Sequence, residues 1–158
     1  MTNDALPSRF DGPDQSPGFL LWRVTNAWQR AIRAALAPHG LTHVQFVLLA
    51  TIASRHPAAM TQRELADAAV TDVMMTSQVV RTLASRSLIE RHPHPTDRRA
   101  ISLSATPEGL RAAGGAIRSV EAADTEYFAA LGARSERFRD MLLALDSPNR
   151  TTPSSPRE

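Results

Sequence analysis

Residues 61–109 read TQRELADAAVTDVMMTSQVVRTLASRSLIERHPHPTDRRAISLSATPEG. The segment opens on a capping box: the Thr61 hydroxyl can accept from the backbone three residues on, Glu64 can reach back, and Met60 with Leu65 forms a hydrophobic staple. This predicts a short helix over about 62–68. After Val70, Thr71 or Asp72 caps a longer helix that runs to about Ser87. Two helices joined by so short a turn form a helix-turn-helix. From Leu88 the apolar period moves toward two. LIERHPH and RAISLSA then read as two short strands around the loop Pro95-Thr96-Asp97-Arg98-Arg99, which makes a wing. Thr106 followed by Pro107 signals the start of another helix.

The flanks repeat this grammar. A first helix is expected over about 17–37, with Leu21, Val24, Trp28, Ile32 and Ala35 on one face and Phe19 and Trp22 broadening it. Pro38 and Gly40 end it. Thr42 with Gln45 is a second capping box, and Leu41 with Phe46 a second staple, ahead of an apolar run over 44–52. Behind the wing a long helix is expected toward Leu131, weakened at Gly114-Gly115. A last helix over about 134–145 carries Phe138, Met141, Leu142 and Leu145 on one side. Residues 1–17, with three prolines and three aspartates, read as a flexible arm, and the Pro/Ser-rich stretch 147–158 as a disordered tail. The expected fold class is mainly α with a small β-hairpin wing. A single domain is expected over 18–146, with a helix-turn-helix lobe at 42–105.

Composition narrows the class of function. At 158 residues the chain suits one domain with a full core. Apolar residues make up 42% and charged residues 22%, the balance of a soluble globular protein. No apolar run reaches membrane-spanning length and no leader pattern is read, so a cytoplasmic protein with no membrane partner is expected. There is no cysteine, which excludes disulfides, thiol redox sensing and thiolate metal sites. Net charge is only +2, but all 18 basic residues are arginine. Between residues 74 and 99 five arginines (Arg81, Arg86, Arg91, Arg98, Arg99) face two acids (Glu90, Asp97), a local excess that suits a nucleic-acid face.

On the longer helix of the pair, Val79, Val80 and Leu83 have the spacing of a buried face, with Met75 or Thr76 one turn earlier. Ser77, Gln78 and Arg81 are left pointing outward. Gln and Arg are the side chains suited to bidentate contacts with adenine and guanine edges. Gln78 and Arg81, with Ser77 beside them, are therefore the candidate base readers. Thr71, Thr76 and Ser77 are candidates for phosphates or thymine methyls, and Arg63 for a phosphate.

Taken together these pieces resemble the multiple-antibiotic-resistance regulator (MarR) family of bacterial transcription factors, over about residues 19–145. The resemblance rests on the turn Gly40-Leu41-Thr42, on TQRELA from Thr61, on VMMTSQVVRTLASRSLIER, and on PTDRRA with Asp97 and Arg99, followed by LSATPEG. It implies a homodimer whose terminal helices (about 18–37 and 106–146) interdigitate, a pseudo-palindromic double-stranded DNA operator, and a small-molecule effector of unknown identity. It also implies that Arg99 enters the minor groove, that Asp97 orients it, and that Arg98 lies beside the tip against phosphate. One departure is Ser87, where the family usually closes the helix with glycine. The family's ligands, often aromatic or phenolic, sit in a crevice between the dimerisation helices and the DNA lobe, which makes Trp22, Trp28 and His43 pocket candidates.

No catalytic residue is expected: a glycine-rich phosphate loop, a nucleophile elbow and motif-placed paired carboxylates are all missing. No cofactor is expected either. The histidines His39, His43, His56, His92 and His94 do not occupy the long helix behind the wing, where this family's zinc sites look for them, so no metal site is assigned. The expected function is a repressor released by a small ligand. The alternatives are a winged-helix protein-interaction module without DNA binding, and an activator of the same family.

Overall fold

The computed structural model describes residues 7–150. Six α-helices and three short strands follow one another as α1 (Pro17–Leu36), α2 (His43–Ser54), β1 (Met60–Thr61), α3 (Gln62–Ala69), α4 (Val73–Ser85), β2 (Ile89–Pro93), β3 (Ile101–Ala105), α5 (Pro107–Phe128) and α6 (Ser135–Arg150). Each helix start is set by local chemistry. Thr42 and Thr61 both close complete capping boxes, with Gln45 and Glu64 respectively. Asp72, rather than Thr71, caps α4 by accepting from the Met75 N–H at 2.8 Å.

The core lies where α2 meets α1, α3, α4, α5 and the sheet. Ile32, Leu36, Leu48, Leu49, Leu65, Val80, Leu83 and Leu103 are fully buried there. In the sheet β3 is central, antiparallel to β2 on one side and to β1 on the other, with Met60 opposite Leu103 and Arg91 opposite Leu103 on the other edge. Sequence reading foresaw the hairpin but not β1. Its two residues were read only as a staple and a cap, and strand pairing of that length leaves no periodicity to detect.

Two helix ends depart from glycine usage. At the end of α4 the Leu88 N–H donates to the Leu83 carbonyl (3.0 Å) and the Ser87 N–H to the Ala84 carbonyl (2.9 Å). This is a complete Schellman closure, with Ser87 at φ 58° in the left-handed region. Serine at this position therefore still makes the stop. At the end of α3, Val70 takes φ 52° and the Thr71 N–H donates to the Ala66 carbonyl at 3.0 Å. A β-branched residue there is strained by about 1–2 kcal/mol. Val70 is 66% exposed, so little packing compensates. Val70→Gly should therefore raise unfolding stability by about 0.5–1 kcal/mol, after allowing for the greater freedom of glycine in the unfolded chain. Urea titration at fixed protein concentration checks this, and a lower midpoint would contradict it.

The termini differ from expectation in two ways. Within the stretch read as a flexible arm, Pro13–Gln15 form a 3₁₀ turn and Ser16 caps α1 through the Phe19 N–H (3.3 Å). At the other end, α5 stops at Phe128, short of Leu131, and a 3₁₀ stretch bends at Gly132 (φ 53°). Helix α6 then continues through Arg150, so residues 147–150 are helical where a tail was expected. Residues 1–6 and 151–158, the remainder of the expected arm and tail, lie outside the described residues.

Candidate nucleic-acid interface

Helix α4 separates its faces as its spacing requires. Thr76, Val79, Val80 and Leu83 are buried, while Gln78 and Arg81 are exposed and Ser77 is half-buried at the edge. Positions 74, 78 and 81 fall on one outward stripe, since residues four and three apart lie above one another on a helix. Gln78 and Arg81 thus sit side by side on the free face. Sequence reading missed Met74, which heads the same stripe and is 84% exposed. The i, i+4, i+7 spacing from Met74 to Gln78 and Arg81 is the signal in the sequence that marks it.

Thr76 requires a correction. It is 0% exposed, and its hydroxyl lies 2.8 Å from both the Asp72 carbonyl and the Thr71 hydroxyl. Its polar group is used to tie the turn to the first coil of α4, so it is not on the outer surface. Thr71, half-buried, shares that pair and keeps only part of its side chain accessible.

The basic excess also divides. Arg86 points away from the α4 stripe and donates to the Gly40 carbonyl at 2.9 Å, with Gln45 Oε1 at 3.5 Å. It ties the end of α4 to the turn before α2. Among the described residues Arg63, Arg81, Arg91, Arg98 and Arg99 are all exposed and enter no salt bridge within the chain. Arg63 stands in the first turn of α3, whose cap is firm. The Thr61 N–H donates to Glu64 Oε2 at 2.6 Å and the Thr61 hydroxyl at 2.9 Å, and these bonds hold the Glu64 carboxyl below its usual pKa.

At the wing tip Asp97 meets the backbone of Arg99, not its guanidinium group. Its Oδ1 accepts from the Arg99 N–H at 2.9 Å, and no ion pair joins the two side chains. His94 Nδ1 accepts from the Asp97 N–H at 3.2 Å, and the His94 backbone N–H donates to the Ala100 carbonyl at 3.2 Å. The loop is therefore shaped from within, and the Arg98 and Arg99 guanidinium groups project from a fixed turn.

The three pocket candidates do not form one site. Trp28 and His43 meet edge to face at 5.2 Å, and Trp28 Nε1 donates to Asp124 Oδ1 at 2.7 Å across to α5. Trp22 lies six residues earlier on α1, about 120° around the helix from Trp28. It is 65% exposed and lines an open groove of about 710 Å³ with Arg23, Asn26, Arg30 and Tyr127. Among the described residues no group of three or more His, Asp or Glu side chains is placed to hold a metal ion. Nor is any single helix among them long and apolar enough to cross a membrane.

His43 is half-buried, and burial first, then the Arg33 charge, lowers its pKa, with Asp124 partly opposing. The unfolded chain then binds more protons than the folded one below about pH 6.5, so this contribution is complete above that pH and is lost as pH falls. His43→Gln should flatten the acid side of the melting-temperature profile between about pH 7 and pH 5. Thermal melts of both proteins across that range check it; parallel profiles would contradict the assignment.

Comparison with known proteins agrees with this geometry. The profile of the MarR family matches residues 41–101. The Bacillus subtilis protein named as the uncharacterised HTH-type transcriptional regulator YdcH is 46% identical over 125 residues, covering 78% of this chain and 85% of that one. The Mycobacterium tuberculosis HTH-type transcriptional repressor Rv2887 is 33% identical over 136 residues, covering 85% of this chain and 96% of its own. Its structure with salicylic acid superposes with a TM-score of 0.65 at 29% identity, over 82% of this chain and 96% of that one. A mutant of Escherichia coli MarR complexed with operator DNA superposes with a TM-score of 0.72 at 26% identity, covering 80% of this chain and 90% of that chain. By these matches the chain belongs to the MarR family of helix-turn-helix transcriptional regulators.

Proposed function

We propose that the chain acts as a homodimeric, sequence-specific repressor released from DNA by a small molecule. The observation that carries this reading is the set of exposed arginines, none in a salt bridge among the described residues, on the helix pair and the wing: Arg81 on α4, Arg63 on α3, and Arg98 and Arg99 on the wing. In this reading Gln78 and Arg81 meet base edges, with Ser77 beside them, and Arg63 and Arg98 meet phosphates. Arg99 enters the minor groove, whose negative potential draws a guanidinium, and Asp97 fixes the turn that aims it.

Support for the dimer comes from the terminal helices. Phe19, Leu21, Trp22 and Val24 on α1, and Met141, Leu142 and Leu143 on α6, are large apolar side chains exposed in the single chain. A second copy that covers both sets would bring two α4 helices to successive major grooves, about 10 base pairs apart. Repression is supported by the name of the relative Rv2887, and its complex with salicylic acid supports an aromatic effector. The edge-to-face pair of Trp28 and His43, with the Arg33 charge acting on it, suits such a ligand. A ligand acts here only through its preference between DNA-competent and DNA-incompetent dimers.

The test is a gel shift on the DNA upstream of the chain's own gene. Selective retardation is expected. A protein that retards no fragment selectively would favour the protein-interaction module instead. Within a positive result, Arg99→Ala should weaken binding and lower the salt slope by about one per arginine removed; an unchanged slope in a titration from low to high salt would contradict the groove contact.

A further inference from the structure

The N-terminal end of the α4 stripe is apolar and uncovered. Met74 is 84% exposed and Val73 68% exposed, directly ahead of Ser77, Gln78 and Arg81. Exposed methionine and valine are poorly suited to phosphates and cannot take part in hydrogen-bonded base readout. The major groove offers one apolar feature, the C5 methyl group of thymine. Met74 lies one turn before Gln78 on the same line, so a duplex that meets Gln78 and Arg81 also meets Met74. In helix-turn-helix docking it is the N-terminal residues of the second helix that approach base edges. Asp72, the nearest acid, already has its carboxylate turned back to cap the Met75 N–H at 2.8 Å. The burial of Thr76 removes one of the three side chains, with Thr71 and Ser77, expected from the sequence to approach phosphates or thymine methyls.

We propose that Met74, flanked by Val73, is a specificity-determining residue that reads a thymine methyl group in each half-site. This rests on the DNA-binding reading above. The flexible thioether can settle against a methyl without a fixed shape, and the contact removes both groups from water. Specificity on this helix is then divided between polar readout at Gln78 and Arg81 and apolar readout at Met74.

The experiment uses the full chain and duplexes selected by it from a random pool. Each thymine of the selected site is replaced in turn by deoxyuridine, which removes only the C5 methyl. Replacement at one thymine per half-site should weaken binding about three- to fivefold, the effect of one buried methyl-sized group. Met74→Ala, which removes the contact from both half-sites of a dimer, should lower affinity for the thymine duplex by about the square of that factor, roughly 9- to 25-fold, and lose the discrimination between thymine and uracil, whereas Met74→Leu should keep it. Thermal melts should be unchanged, because the Met74 side chain lies almost wholly outside the packed core. Specific binding with no sensitive thymine, or sensitivity that survives in Met74→Ala, would overturn the methyl contact and leave the DNA-binding reading standing. Recovery of no preferred sequence would overturn both.

Discussion

Gly109→Ala should destabilise the fold by about 3 kcal/mol, an effect at the upper end of overpacking. A Cβ at residue 109 would lie 1.8 Å from the Leu88 carbonyl oxygen and 2.9 Å from its carbon. Both are backbone atoms, so no side chain can swing aside. The first turn of α5 would have to lift from the Ser87–Leu88 backbone just ahead of β2, and its anchors would be lost with it. Those anchors are the Thr106 hydroxyl, which donates to the Ser87 carbonyl at 2.7 Å, and the Thr106 N–H, which donates to the Leu88 carbonyl at 3.2 Å. The Gly109 N–H itself donates to Thr106 Oγ1 at 2.9 Å. The chain thus uses glycine where helix propensity alone would disfavour it, to bring the wing against α5. Gly114→Ala is the matched control. The nearest atom to a Cβ there is Arg118 Nη1 at 3.8 Å, the end of a flexible side chain, so better helix propensity should stabilise by about 0.5–1 kcal/mol. Urea unfolding of both variants at one protein concentration checks the pair. A Gly109→Ala variant within about 1 kcal/mol of the parent protein would contradict the close approach.

Arg81→Ala should cost about 1–3 kcal/mol on the preferred duplex, roughly 5- to 150-fold in affinity, and relax the preference at one base position. Arg81 is exposed and in no salt bridge among the described residues, so its removal should leave folding intact and act on binding alone. A base reader loses affinity mainly for its own sequence, whereas a phosphate contact loses it on every sequence alike. Fluorescence anisotropy on the preferred and on scrambled duplexes separates the two, and an equal loss on both would refute the base-reading role.

How far the residues themselves disclosed this arrangement depends on the range of the interactions involved. Thr42, Thr61 and Thr106 announced their helices because a cap is settled within four residues. The buried face of α4 followed from the spacing of Val79, Val80 and Leu83. Arg86 was counted with the basic face because its partner, the Gly40 carbonyl, lies 46 positions away in the chain. The spacing leaves either Met75 or Thr76 to continue the buried face of α4, because the two differ by one position on the helix. Burial decides it: Thr76 is enclosed and bonded to Asp72 and Thr71, while Met75 is exposed. Trp22 and Trp28 were grouped by residue type, and the turn of α1 between them sets them on different sides. Strand β1 carried no pattern of its own, since its two residues become a strand only when Leu103 and Ser102 are brought beside them.

The proposed symmetric reader of a two-part DNA site rests on the exposed apolar faces of α1 and α6 and on the exposed arginines of α3, α4 and the wing. The most direct test is the mass of the protein–DNA complex, measured by native mass spectrometry or sedimentation on a duplex carrying the selected site. Two chains per duplex are expected, with binding lost when the spacing between half-sites is changed by about half a helical turn, roughly 5 base pairs. One chain per duplex, or binding indifferent to that spacing, would contradict the account.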